Sequence, residues 1–338
     1  GFFQGFNTMI PTAISQSSEQ INRIIGTLII INLVSHLGLK YQTASIALGI
    51  GIGEFTGFLF LLYFFFRDFR NPEKIINKKN HNKHQNHFYD DFKIICGMAL
   101  PLTIGRIVNS LMQSGEAILI PRQLQVAGNS LEQATSLYGQ LSGMVFQILL
   151  LPTVVTIALT TSLIPTVSRA YTNNDFAKIH RNYQDIIRIT TYIGFPLTVI
   201  FFNYGPEICN LIFSFPEAGN ILKYLSFSAT FIYFFHISSG MLNGLGYPKL
   251  ALYNLTTGSI ITLIGIYFLV KNPQLGILGA CVAITMGYFI SAILNFLSIG
   301  KTIGFKININ QLFLKPLCAS SLLFLIGFYF KTTLKNIV

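Results

Sequence analysis

Residues 43–66 read TASIALGIGIGEFTGFLFLLYFFF. Across these positions only Glu54 carries a charge. Wound as an α-helix at about 1.5 Å per residue, the stretch is about 36 Å long, enough to cross about 30 Å of hydrocarbon. A helix that is apolar on every side has no face for water, so its surroundings are protein or lipid. Gly49, Gly53 and Gly57 recur every four residues and predict a face for close contact with another helix. Glu54 sits among them. It is read either as buried and protonated or as facing a polar cavity.

Similar runs flank this one. Spans are expected near 12–35, 43–66, 93–119, 137–166, 186–204, 219–241, 250–270, 275–299 and 312–331, about nine in all. The fold class is therefore an all-α integral membrane protein. Composition agrees: of 338 residues, 51% are apolar and 10% charged, too few charges to coat a water-facing surface. Trp is absent, so interfacial aromatic belts must use the 15 Tyr residues. Pro101, Pro152, Pro165 and Pro196 fall inside expected spans, where neighbouring helices or a wet cavity must satisfy the freed carbonyls.

The net charge of +11 is scattered between apolar runs and not gathered on one soluble face, which argues against nucleic acid as a partner. Alternating the sides from a cytoplasmic 67–93 segment puts fifteen Lys and Arg on the cytoplasmic side and six on the other, as the positive-inside rule requires. Residues 67–92, RDFRNPEKIINKKNHNKHQNHFYDDF, lack apolar periodicity and read as a basic cytoplasmic linker. It divides the chain into 1–66, two helices of a first lobe, and 93–338, a second lobe. His81, His84 and His87 within it read as a solvated low-complexity run, not a metal site. Cys96, Cys209, Cys281 and Cys318 have no metal-ligand spacing and read as small core residues. Residues 175–188, DFAKIHRNYQDIIR, read as an interfacial amphipathic helix, and His236 as a core histidine.

A long-period repeat is visible. Gly1-Phe2-Phe3-Gln4-Gly5 parallels Gly240-Met241-Leu242-Asn243-Gly244, each followed by a Pro that opens a helix (Pro11 and Pro248). Ala44–Gly51 parallels Ala280–Gly287 at a similar offset. Six helices per period predict two parallel lobes related by an axis along the membrane normal, with a substrate site between them. The chain begins without Met, in what reads as a loop in progress, and holds two helices of the first copy, so it is expected to be a fragment.

Specific motifs carry a family resemblance. Pro11-Thr12-Ala13-Ile14-Ser15-Gln16 with Glu19-Gln20, Leu111–Arg122 (LMQSGEAILIPR), Ser136–Met144 (SLYGQLSGM) and Leu163–Ser168 (LIPTVS) resemble the stage V sporulation protein B family. That family is similar to the polysaccharide exporters and lipid II flippases of the multidrug/oligosaccharidyl-lipid/polysaccharide superfamily. The resemblance implies a two-lobe, fourteen-helix, MATE-like flippase fold working by alternating access, of which this chain lacks the first four helices and the last. It also implies a multi-pass protein of the cytoplasmic membrane, with an undecaprenyl-pyrophosphate-linked glycan as substrate. A lipid II-like precursor of spore-cortex peptidoglycan is one candidate cargo, and peptidoglycan synthases are candidate partners. The first-lobe arginines that such flippases use on pyrophosphate cannot be carried over, because their helices are absent.

No nucleophile motif, metal constellation or phosphate loop is present, so no enzyme activity, cofactor or catalytic residue is expected. Charges inside spans are costly and mark function by default. Arg106, Asn109, Gln113 and Glu116 recur at spacings of three, four and three, which puts them on one helix face. Arg106 suits a phosphate pair; Glu116 either holds Arg106 in the empty state or takes a proton or cation. The competing reading is an ion-pair network that only locks helices. Glu19 and Arg23, at i and i+4, form a second candidate set with Gln16 and Gln20. Arg122 reads as snorkelling to headgroups. Two other functions stay open: a cation-coupled small-molecule antiporter with Glu54 and Glu116 as cation sites, and a membrane scaffold for a synthase.

Overall fold

The computed structural model describes residues 10–69, 88–304, 315–322 and 324, with no strand among them. The Gly1–Gly5 motif, the three linker histidines and most of the span expected at 312–331 lie outside the described residues. The chain divides into two compact units, 1–87 and 88–338.

The first unit is an antiparallel hairpin of α1 (Ile10–Val34) and α2 (Leu39–Phe69). Its turn passes through Gly38 at φ +98°, a left-handed conformation that Cβ-bearing residues rarely adopt. The glycine face predicted on α2 is the seam. A Cβ at Gly53 would meet Arg23 Cβ and the Glu19 carbonyl oxygen at 2.8 Å, and one at Gly49 would collide with the Thr27 hydroxyl. Ser15 Oγ donates to the Gly57 carbonyl at 2.8 Å across the same seam. Gly51, by contrast, has nothing near its missing Cβ.

The second unit starts with α3 (Phe88–Val126). A single span expected at 137–166 is broken. α4 (Leu131–Gly139) runs through a π-helical turn, Gln140–Val145, into α5 (Phe146–Leu150), and α6 (Thr153–Thr172) follows a break at Leu151-Pro152. Pro152 has no N–H and its ring crowds the preceding turn, so the helix cannot continue through it. The Tyr233 hydroxyl donates to the Leu149 carbonyl at 3.0 Å beside this break. α4 itself opens with a reciprocal cap between Ser130 and Gln133.

α7 (Phe176–Phe213) corrects a second expectation. The stretch 175–188 is no separate helix lying on a bilayer; it is the first part of a 38-residue helix. Its apolar stripe, Ile179, Tyr183, Ile186 and Ile187, is buried with α6, α8 and α10 side chains such as Val167, Met241 and Ile299. Protein fills the face that was assigned to lipid. α7 is kinked at Tyr204 (φ −116°, ψ 20°), ahead of Gly205-Pro206.

α8 (Ala218–Gly244) is the central helix and the most buried candidate span. α9 (Pro248–Leu269) and α10 (Ile277–Ile303) complete the described bundle, and residues 315–322 are helical. Small residues bring the backbones together: Gly240 lies against Thr160, Gly258 against Ser291, and Gly287 against Thr262. A buried polar network joins three helices. Asn254 donates to Asn295 Oδ1 (2.9 Å) and Ser298 Oγ (3.1 Å), and Asn295 donates to Ser238 Oγ (3.1 Å).

The repeat read from the sequence needs adjustment. It set Gly51 opposite Gly287, but the packing counterpart of Gly287 on Thr262 is Gly49 on Thr27. Two residues along a helix is a rotation of about 200°, so Gly51 faces away from the seam. Only two of the four cysteines serve the core: Cys209 and Cys281 are buried, Cys96 is half-buried and Cys318 exposed.

Among the described residues seven helices are long and apolar enough to cross a membrane. α3, at 39 residues, is long enough too but is not among the seven.

Candidate functional site

α3 is held on one side by α9. Gly105 approaches Leu252, and a Cβ at Gly115 would lie 3.1 Å from Leu263 Cδ2. Met112 is buried and Val108 half-buried on this side. The polar stripe Arg106, Asn109, Gln113, Glu116 is this packed stripe displaced by one residue, a turn of about 100°. Arg106, Asn109 and Gln113 are all exposed on the second unit, so none is sealed in a dry contact within it. Farther round, Leu111 and Ile118 form an exposed apolar face fit for lipid.

Glu116 differs from its neighbours. It is half-buried, and its carboxylate interacts electrostatically with Tyr138 beside the π-helical turn and with Tyr288 on α10. Ten residues separate it from Arg106, about 15 Å along the helix axis. The idea that Glu116 holds Arg106 is therefore corrected: that rise is beyond the reach of an ion pair, and none joins them. The two tyrosines were missed by sequence reasoning. Tyr138 lies inside the SLYGQLSGM motif, and that motif was the available signal; Tyr288 had none.

The pairing of α3 with α9 also fixes depth. The two helices run parallel, and Gly105 is level with Leu252, one turn inside the start of α9. Arg106 thus lies little more than a turn inside one end of α9, and Glu116 about as far inside the other. Arg122 is exposed in the last turns of α3.

The other candidates belong to the first unit. Glu19 and Arg23 form an ion pair at 2.5 Å, with side chains 25% and 31% exposed. Gly53 backs directly onto both, so the pair lies along the seam of the hairpin. Glu54, the next residue on α2, points away and is exposed. His236 is half-buried beside Phe235. The structure thus assembles four of the seven candidates into one stripe on α3, joins two in an ion pair, and leaves Glu54 apart.

The family model described as "Polysaccharide biosynthesis protein" matches residues 1–171, half of the chain. The chain belongs to that family. A second family model, MatE, matches residues 141–268. Stage V sporulation protein B of Bacillus subtilis (strain 168) is 26% identical over 311 residues, covering 92% of this chain and 59% of the relative. Lipid II flippase MurJ of the same organism is 26% identical over 336 residues, covering 91% and 58%. This member of the family therefore spans somewhat under three fifths of the length of these curated relatives. A crystal structure of MATE in the bent conformation superposes with a TM-score of 0.66 at 16% identity, covering 89% of this chain and 63% of that one. An outward-facing MATE family multidrug transporter of the MOP superfamily gives 0.66 and 16%, covering 89% and 64%. The fold is thus the all-helical one of MATE transporters, and the family member is a multi-pass membrane protein.

Proposed function

We propose that this chain is part of a flippase or exporter that moves an undecaprenyl-pyrophosphate-linked glycan across the cytoplasmic membrane by alternating access. The observation that carries the reading is the exposed stripe Arg106, Asn109 and Gln113 on a helix whose neighbouring face is apolar. A cation and two amides on the surface of a membrane helix require a polar counterpart. Arg106 offers a planar fork for paired phosphate oxygens, and the amides offer donors and acceptors to sugar hydroxyls. The depth of Arg106, near one end of α9, suits capture of a headgroup at the membrane face while the lipid tail stays in the bilayer. Movement of one lobe against the other would then expose the headgroup on the opposite side. The relatives named for spore formation and lipid II flipping support a peptidoglycan precursor as cargo. The candidate contacts of the second unit are Arg106, Asn109, Gln113 and Glu116; Glu19, Arg23 and Glu54 are separate candidates on the first unit.

The test is solvent access in the full-length protein. With the native cysteines replaced, Asn109→Cys and Gln113→Cys are expected to react with a membrane-impermeant maleimide, and lipid-linked oligosaccharide is expected to slow the reaction. If neither position reacts, or substrate gives no protection, the assignment of this stripe fails.

A second reading is favoured by one observation. Glu116 is a half-buried carboxylate in the same helix, electrostatically coupled to Tyr138 and Tyr288, and a cation-coupled antiporter needs such a group. Under that reading, Glu116→Gln removes the ion dependence of transport while Arg106→Ala has little effect.

A further inference from the structure

The charges of the second unit are unequally divided between its ends. One end gathers the C-termini of α6, α8 and α10 and the N-termini of α7 and α9. Two contacts show that these termini meet: the Tyr171 and Tyr247 hydroxyls share a hydrogen bond of 3.1 Å, and a His180 ring nitrogen lies 3.0 Å from the Ile303 carbonyl oxygen. Arg169, Lys178, Arg181, Lys249 and Lys301 stand around these contacts, and Arg188 lies about two turns farther along α7; all six are exposed. The described carboxylates near them are Asp175 and Asp185, and Asp175 is engaged as the cap of α7, accepting from the Lys178 N–H at 3.1 Å. Among the described residues no ion pair involves any of the six cations.

The opposite end is balanced. Arg122, Lys223 and Lys271 are matched in number by Glu132, Glu207 and Glu217. Two of those cations are also covered by rings: Lys223 Nζ lies 4.8 Å from the centre of Phe202, and Lys271 Nζ lies 4.9 Å from that of Phe268.

The two braces make the basic end more than a tally. The tyrosine pair holds Arg169 and Lys249 within two residues of one contact. The His180 contact does the same for Lys178, Arg181 and Lys301. Like charges are thus fixed close together by packing that leaves them uncompensated, an arrangement that costs energy unless anions come to it. The site lies at the end of helices long and apolar enough to cross a membrane, where a bilayer would present its headgroups.

We infer that this end of the second unit is a docking surface for anionic phospholipid headgroups, with phosphatidylglycerol as the representative ligand. The bound lipids neutralise the braced cations and anchor the ends of α6, α7 and α10 at one membrane face. This inference is independent of the proposed cargo, because none of its residues lies on the α3 stripe.

The experiment uses full-length protein in phosphatidylcholine bilayers containing spin-labelled phosphatidylglycerol or spin-labelled phosphatidylcholine, with the motionally restricted fraction of each read by electron paramagnetic resonance. Wild type is expected to prefer phosphatidylglycerol by about twofold or more, and to lose the preference in about 1 M salt, where the screening length is about 3 Å. The variant Lys178→Gln/Arg181→Gln/Lys249→Gln/Lys301→Gln is expected to bind both lipids equally. Replacing the same three lysines by Arg keeps the preference, which separates charge from fold. Lys223→Gln/Lys271→Gln at the other end leaves it unchanged. Equal affinity for the two lipids in wild type overturns the inference, including the case where the surface instead binds an acidic polypeptide. So does an equal loss on neutralising the opposite end.

Discussion

Gly115 of α3 seats against Leu263 of α9 so closely that a Cβ at 115 would come within 3.1 Å of Leu263 Cδ2. Together with Gly105 at Leu252, this contact sets the rotation of α3 over ten residues and thereby turns Arg106, Asn109 and Gln113 outward. Gly115→Leu should displace α3, with an overpacking cost of about 1–3 kcal/mol. Thermal unfolding of the full-length protein in detergent should show a lowered midpoint. Gly97→Leu on the same helix, where nothing lies within 4 Å, should not lower it.

The hairpin of the first unit makes a parallel case. Gly53 meets backbone and Cβ atoms of α1, which cannot swing away as a side-chain tip can. Gly53→Leu is expected to separate α1 from α2 and to increase cleavage by added protease between residues 34 and 41. Gly51→Leu, two residues away on the open side, should behave as wild type.

The Asn254–Asn295–Ser238 network gives a third test. Asn295→Leu leaves the Asn254 amide and the Ser238 hydroxyl each short of a partner inside the bundle. The expected loss is about 1–2 kcal/mol, measurable as a shift in the denaturant midpoint. The double variant Asn254→Leu/Asn295→Leu should lose less than the sum of the two single changes, because the orphaned groups go together.

Much of the fold was legible because long apolar runs have few alternatives to crossing a membrane, and a four-residue glycine spacing has few uses besides helix contact. The Gly49–Gly53–Gly57 seam followed from that spacing alone. The misreading of 175–188 has a physical cause: an amphipathic helix shows the same stripe whether its apolar side meets lipid or protein. Only Val167, Met241 and Ile299, brought from other helices, decide between them. The Asn254–Asn295 bond spans 41 residues, and nothing local in either helix announces it. At the candidate site, the α3 stripe was readable from its spacing. Tyr138 and Tyr288 were not, since they lie on two other helices and couple to Glu116 only once the chain is folded.

Glu116 separates the two functional readings. Glu116→Gln keeps size and removes charge, so folding should be preserved. In a flippase that relies on Arg106, the change should slow transport modestly and leave substrate binding within about twofold, because Glu116 lies about 15 Å along α3 from the cation. Binding of lipid-linked oligosaccharide to the purified full-length variant checks this.

The most direct test of the central claim is a flipping assay with full-length protein in proteoliposomes loaded with a lipid-pyrophosphate-linked glycan. Arg106→Ala should reduce the rate by about tenfold or more, the scale of one charge-assisted bond to phosphate, with Arg106→Lys falling between. The thermal midpoint should stay that of wild type. An unchanged rate and unchanged substrate affinity for Arg106→Ala would contradict the account.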